Sequence, residues 1–281
     1  MTAVWFITGA STGLGRTLAE TVLAHGDRVV ATARTVTALD DLTGPGPDDV
    51  VRLALDVTDP DRVRAAVAEA VERAGVIDVL VNNAGHGLVG ALEELSEDEF
   101  ARVLATNVFG AFSVTRAVLP HLRARRRGHI VMMSSVGGVV GNPGHAAYAT
   151  SKFALEGMSE ALAGEVAPLG IRVTIVEPGP FRTDFAGRSM SFAEPIDDYR
   201  DTPAGTLRAR FRAQDGVQPN DPARAAEAII TAVRDASSPL RLPLGPEAVD
   251  RIRAKLQGQL ADLDAWEKLS RDTRYPGQLT S

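Results

Sequence analysis

Short runs of consecutive apolar residues alternate along the chain with longer stretches whose apolar positions recur every three or four residues. β-rich runs lie at Val4–Thr8, Arg28–Ala33, Val50–Leu55, Val76–Asn82, His129–Ser134 and Ile171–Glu177. Helical periodicity covers Gly13–Ala24, Asp59–Ala74, Ser96–Arg123 and Tyr148–Ala167. Several strands are almost continuously apolar, as in Val76-Ile77-Asp78-Val79-Leu80-Val81. A strand without a polar face is covered on both sides, as in a parallel sheet between two helix layers. The alternation predicts an α/β fold: a Rossmann-type doubly wound parallel sheet flanked by helices, in a single domain.

The regularity breaks after Pro178. Residues 178–222 mix Pro, Gly, Arg and Asp with scattered Phe181, Phe185, Met190 and Phe192, and a stretch this long without periodicity inside a compact domain is more often functional than idle. A helix resumes near Pro222–Asp235, and Leu240–Leu244 reads as a last short strand. From about 246 to 270, Val249, Ile252, Leu256, Leu260, Leu263, Trp266 and Leu269 fall at steps of three or four. That is an amphipathic tail helix, expected to pack on the body or on a partner subunit.

Composition narrows the function classes. With 281 residues and 44% hydrophobic content the chain can bury a full core. It has no cysteine, hence no disulfide framework or thiolate chemistry. Its net charge of −6 argues against a general nucleic-acid binder. The one basic cluster, Arg123-Ala124-Arg125-Arg126-Arg127, reads as a solvated helix end. Histidines 25, 86, 121, 129 and 145 show no ligand spacing, so no metal site is expected. No apolar run reaches the roughly 18 residues needed to cross a bilayer, and a soluble cytoplasmic protein is the expectation.

Chemistry first shows between the first strand and the first helix, at Thr8-Gly9-Ala10-Ser11-Thr12-Gly13-Leu14-Gly15. Gly9 permits a sharp turn, Gly13 a close approach to a pyrophosphate, and Gly15 tight packing of helix on sheet. The helix N-terminus beside Ser11, Thr12 and Leu14 offers free N–H groups to phosphates. The second strand ends Ala31-Thr32-Ala33-Arg34-Thr35, without an acid until Asp40. An acid there would hold the ribose 2′-OH of NAD. Arg34, with Thr35 beside it, suits a 2′-phosphate, so NADP(H) is expected ahead of NAD(H).

Tyr148 and Lys152 stand at i and i+4 on one helix face. A phenol has an ordinary pKa near about 10, and a nearby cation is expected to bring it toward the working range. Ser135, thirteen residues before Tyr148, ends the fifth strand, where open α/β sheets bind ligands. Lysine is otherwise almost absent: Lys255 and Lys268 are the only others.

These residues, with Asp56, Asn82-Asn83-Ala84-Gly85, Asn107 and Pro178-Gly179, resemble in order and spacing the classical short-chain dehydrogenases/reductases over nearly the whole chain. The resemblance implies Tyr148 as general acid in carbonyl reduction and general base in alcohol oxidation. It implies Lys152 as tuning that phenol and binding the nicotinamide ribose, Ser135 as orienting the substrate oxygen, and Asn107 as holding a water in a proton relay. It places Asp56 and the adjoining Val57 at the adenine and has Asn83, Ala84 and Gly85 support the strand beside the cofactor. Pro178, Gly179, Phe181 and Thr183 fall at the nicotinamide end. The resemblance also implies a substrate-loop region at about 184–220; its Phe185, Met190 and Phe192, with Leu88, Val89, Val139 and Val140, suggest an apolar substrate pocket, and His86 and His145 stand near enough to line it. The expected activity is NADPH-dependent reduction of a hydrophobic ketone or aldehyde, or the reverse, in a homodimer or homotetramer. A non-catalytic NADP-binding sensor is the alternative from another class, and a sugar-nucleotide epimerase a further rival.

Overall fold

The computed structural model describes residues 2–185, 187–213 and 216–275. The elements follow in the order β1 Val4–Ile7, α1 Gly13–Ala24, β2 Arg28–Ala33, β3 Val50–Ala54, α2 Pro60–Ala74, β4 Val79–Asn82, β5 Gly87–Val89, α3 Glu97–Leu104, α4 Ala111–Arg125, β6 Gly128–Met133, α5 Ala146–Val166, β7 Ile171–Pro178, β8 Met190–Phe192, α6 Pro203–Ala213, α7 Pro222–Arg234, β9 Arg241–Leu244 and α8 Pro246–Arg271. Among the described residues, seven strands pair in parallel in the order β3-β2-β1-β4-β6-β7-β9. Strand order reverses between β1 and β4, and loops leaving their C-terminal ends diverge there, which opens a crevice.

The apolar strands owe their pattern to two cores. Phe6, Val30, Leu80 and Ile130 point into one, with Val63 of α2, Val114 of α4 and Leu155 of α5. Trp5, Ile7, Val29, Val81 and Val131 point into the other, with Leu18 of α1 and Ile229 of α7. Helix starts follow legible signals: Asp59 accepts the N–H groups of Asp61 and Arg62 ahead of Pro60, and Ser96 forms a capping box with Glu99.

Several expectations need correction. β4 starts at Val79 rather than Val76 because Asp78 turns aside to accept from the Val4 N–H and from Arg125. The helix expected over Ser96–Arg123 runs from α3 to α4 through a π-helical stretch at Ala105–Gly110. By length and composition this helix, 97–125, is apolar enough to cross a membrane, contrary to the expectation that no segment is. Its residues Val114, Val118 and Leu122 are fully buried against the sheet core. The basic cluster is not simply solvated: Arg125 donates to the Ile77 carbonyl and pairs with Asp78, and Arg126 donates to the Pro168 carbonyl.

The stretch after Pro178 is also more ordered than its sequence suggests. β8 pairs in parallel with β5, Gly87 opposite Met190 and Val89 opposite Phe192. α6 escaped detection because one of its buried residues is Arg208, which pairs with Glu94 at 2.5 Å and donates to the Ala193 carbonyl. A periodicity reading counts an arginine as exposed.

Candidate active site

The glycine loop is held from below. Thr8 Oγ1 accepts the N–H groups of Asn83 and Ala84, and Asn83 Nδ2 donates to the carbonyls of Thr8 and Gly9 at 2.9 and 3.0 Å. Asn83 thus braces the end of β1 and the loop after it, in keeping with the supporting role the resemblance implies. A Cβ on Gly15 would fall 2.5 Å from the Gly9 carbonyl and closer still to Asn83, so this helix can approach the sheet only with glycine. Gly9 and Gly13 take φ of +66° and +59°. Thr12 makes no side-chain cap, which leaves the first N–H groups of α1 available, and a Cβ on Gly13 would meet only Thr183, at 3.6 Å. An uncapped helix end behind an open glycine fits a pyrophosphate. Ser11, Thr12 and Leu14 are half-buried around it.

The neighbouring strand ends complete this side. Arg34 is exposed just past β2, and its charge, after Thr58's hydrogen bonds, helps hold the Asp56 carboxyl below its ordinary range. Val57 is buried and packs on Gly110, where a Cβ would fall 2.5 Å from its methyl. The Gly179 N–H donates to the Leu244 carbonyl, which fixes the end of β7 after Pro178. Phe181 is buried in the second core, and Thr183 Oγ1 accepts the Phe185 N–H.

Across the crevice, Ser135 follows β6 and its Oγ accepts the Gly137 N–H at 3.0 Å. A Cβ on Gly137 would stand 3.2 Å from the Tyr148 ring and 3.4 Å from Ser135 Oγ, which places the serine and the phenol side by side. Lys152 is buried, donates to the Met133 carbonyl at 2.6 Å and lies 5.7 Å from the Tyr148 ring centroid. The expected lowering of the phenol pKa does not hold in this state. Burial pushes the Tyr148 phenol up to about 12, with a hydrogen bond from Ser135 opposing. Burial likewise takes Lys152 down to about 8, against the pull of Glu156. A cation over the ring face, committed to a backbone carbonyl, does not offset desolvation at the hydroxyl.

Asn107 lies in the π-helical stretch and is buried. Its Oδ1 accepts the His86 N–H and its Nδ2 donates to the His86 carbonyl and to Ser151 Oγ, at 3.0, 2.9 and 2.9 Å. Its carboxamide therefore stitches the loop after β4 to α5. Gly85 sits between: a Cβ there would lie 3.0 Å from Asn107 Oδ1 and 3.7 Å from Lys152 Nζ. Ala84 is half-buried against the first core.

Behind Lys152 is a group the sequence reading missed. Glu156, one turn on along α5, and Glu177, at the end of β7, are buried and share Arg241 of β9, at 3.3 and 3.5 Å. Burial raises both carboxyls, Glu177 to about 7, with Glu156's charge adding to it. The i+4 spacing from Lys152 was the available signal for Glu156. Only the sheet brings Glu177 and Arg241 beside it.

On the open side, Phe185 packs on Tyr148 at 5.8 Å between centroids. His145 lies between Tyr148 and Phe211 of α6, at 5.1 and 4.8 Å. His86 is partly buried, and burial lowers its pKa. Leu88 and Val89 do not line an open pocket as expected. They form β5, and Leu88 packs with Val103, Ala147 and Ala193. Met190 is buried, and Phe192 lies under the Arg212 guanidinium at 5.1 Å. Val139 and Val140 pack on Ala248 and Ile252 at the root of α8. Among the described residues there is no group of side chains fit to hold a metal.

A parallel sheet with a dinucleotide loop at its switch point, and a Ser-Tyr-Lys group facing that loop, defines an oxidoreductase built around a nicotinamide cofactor. The chain belongs to the short-chain dehydrogenase family, whose model matches residues 3–193. It is 40% identical to the oxidoreductase BOA17 of Botryotinia fuckeliana, over 96% of this chain and 98% of that one. It is 38% identical to a 3-ketodihydrosphingosine reductase of Bacteroides thetaiotaomicron, over 91% of this chain and 92% of that one. A solved short-chain dehydrogenase from Streptomyces avermitilis superposes with a TM-score of 0.91 at 46% identity, covering 97% of this chain and 98% of that one.

Proposed function

We propose that the protein is an NADPH-dependent reductase of a hydrophobic ketone or aldehyde, able to oxidise the corresponding alcohol in reverse. The observation that carries this reading is the placement of Ser135, Tyr148 and Lys152 around the crevice whose other wall is the glycine loop. The dinucleotide, when bound, supplies the hydride. Ser135 Oγ holds the substrate oxygen beside the Tyr148 hydroxyl. Tyr148, kept protonated and neutral by a pKa of about 12, gives its proton to that oxygen as reduction proceeds. Lys152, one helical turn along, holds a positive charge that stabilises the phenolate as it forms. Asn107 holds His86 and Ser151, and through them the loop after β4 and the start of α5.

Arg34, exposed where NAD-selective sites carry an acid, supports the choice of NADPH. The aromatic wall of Phe185, His145 and Phe211 supports an apolar substrate. One relative bears the name of a keto-substrate reductase. For partners, the exposed Phe109, Phe112 and Phe153, at 63%, 46% and 44%, suit a homodimer or homotetramer formed through α4 and α5.

The test is NADPH consumption against a panel of ketones, aldehydes and quinones, run with the wild type and Tyr148→Phe. Turnover of an apolar carbonyl that disappears in the variant, with NADPH binding retained, is the expected result. Dinucleotide binding without turnover of any carbonyl would favour the sensor instead.

A further inference from the structure

After Ile252 the tail helix leaves the body: every residue from Arg253 to Arg271 is exposed. Leu256, Leu260, Leu263, Trp266 and Leu269 are 55–63% exposed. In proteins most helical stability comes from the packing of an amphipathic face rather than from propensity. At about 100° per residue, Ile252, Leu256, Gln259, Leu263 and Trp266 fall on one strip about 80° wide, with Leu260 and Glu267 along one flank.

We infer that this strip pairs with the same strip of a second copy, antiparallel, about a two-fold axis level with Ala261. The charges choose the occupant. α8 carries five acids (Glu247, Asp250, Asp262, Asp264, Glu267) and five bases (Arg251, Arg253, Lys255, Lys268, Arg271), whereas a lipid-surface helix carries a basic excess. Along the free part, Arg253 and Lys255 come first, Asp262, Asp264 and Glu267 follow, and Lys268 and Arg271 close the helix. Two antiparallel copies lay the segment with Arg253 and Lys255 of one along the segment with Asp262, Asp264 and Glu267 of the other. Parallel copies would bring Asp262 beside Glu267. In the antiparallel register Leu256 meets Trp266, Gln259 meets Leu263, and Leu260 meets its own copy. Arg253 then stands opposite Glu267. In the single chain these two form exposed pairs only with Asp250 and Arg271 of the same helix, pairs weak enough to exchange. Asp262 lies near its own copy and about 7.5 Å along the axis from Lys255 of the second chain. A two-fold pairing is self-complementary by construction.

Because the chain has no cysteine, introduced thiols report the pairing without background. Leu260→Cys, treated with a short bis-maleimide, is expected to give a covalent dimer. Ala261→Cys, on the opposite face, is expected to give none. Leu256→Cys is expected to give little, since antiparallel copies hold these residues about 15 Å apart along the axis. Cross-linking at Leu256→Cys as strong as at Leu260→Cys means parallel pairing and overturns the inference. Absence of cross-linking at Leu260→Cys overturns it in favour of another cover. In the Leu260→Cys background, Arg253→Glu should cut the yield several-fold and the added Glu267→Arg should restore it. Failure to restore rejects the register. Co-sedimentation of the wild type with phosphatidylserine vesicles would assign the strip to a lipid surface and also overturn it.

Discussion

The Lys152 ammonium rests on the Met133 carbonyl at 2.6 Å while lying 5.7 Å from the centre of the Tyr148 ring. A buried cation is thus tethered to the last residue of β6, two residues before Ser135 and close to Tyr148. Lys152→Met removes the charge and keeps the bulk. Its turnover should fall about 10²–10⁴-fold. Its stability should rise, because burial holds Lys152 at about 8, below its ordinary 10.5. A base with a depressed folded pKa opposes folding while it is charged, fully below pH 8, and ceases to above 10.5. Urea midpoints at pH 7 and pH 10.5, together with kcat, check both statements. A variant less stable at pH 7 would contradict the second.

Gly15→Ala tests the loop. The new Cβ must displace Asn83, whose amide bonds the Thr8 and Gly9 carbonyls. Overpacking of this kind costs about 1–3 kcal/mol. Thermal denaturation should show that loss, and titration calorimetry a weaker affinity for NADPH and NADH alike.

Arg34→Asp should act differently on the two dinucleotides. Arg34 stands exposed at the end of β2 and nothing in the core rests on it. Removing a bidentate phosphate partner and adding a repelling charge should cost NADPH at least about tenfold in affinity, while NADH holds or gains. Equal losses for both would refute the 2′-phosphate reading.

Acid should destabilise the fold through two histidines. Burial takes His129 and His145 down to about 4, with Arg172 and Arg251 adding to it. Between pH 6.5 and 4 the unfolded chain binds protons that the native histidines refuse, so stability falls as pH falls. Each contributes up to roughly 3 kcal/mol. Glu177, raised to about 7, works in the opposite direction between pH 4.5 and 7, and Glu156, also raised by burial, works with it, while His86, lowered by burial, adds to the two histidines. Denaturation curves from pH 7 to 4.5 should show the decline, and the double variant His129→Leu, His145→Phe should flatten or reverse it.

The sheet, the glycine loop and the Tyr148–Lys152 pair were legible in the sequence because each depends on local spacing. Period two against period 3.6 separates strands from helices, a loop of glycines needs neighbours within a few residues, and i, i+4 places two side chains on one face. The same local rule drew the strip on the tail helix.

What needed the tertiary structure was every relationship between distant segments. Asn83 was legible as a motif, yet its task of holding the Thr8–Gly9 backbone comes from pairing β1 with β4. Arg208 made α6 look like loop because only the fold supplies its buried partner Glu94. The shared Arg241 of Glu156 and Glu177 arises where β7 meets β9 beside α5. The protonation of Tyr148 also belongs here, since desolvation depends on everything packed around the phenol, and no spacing along the chain encodes that.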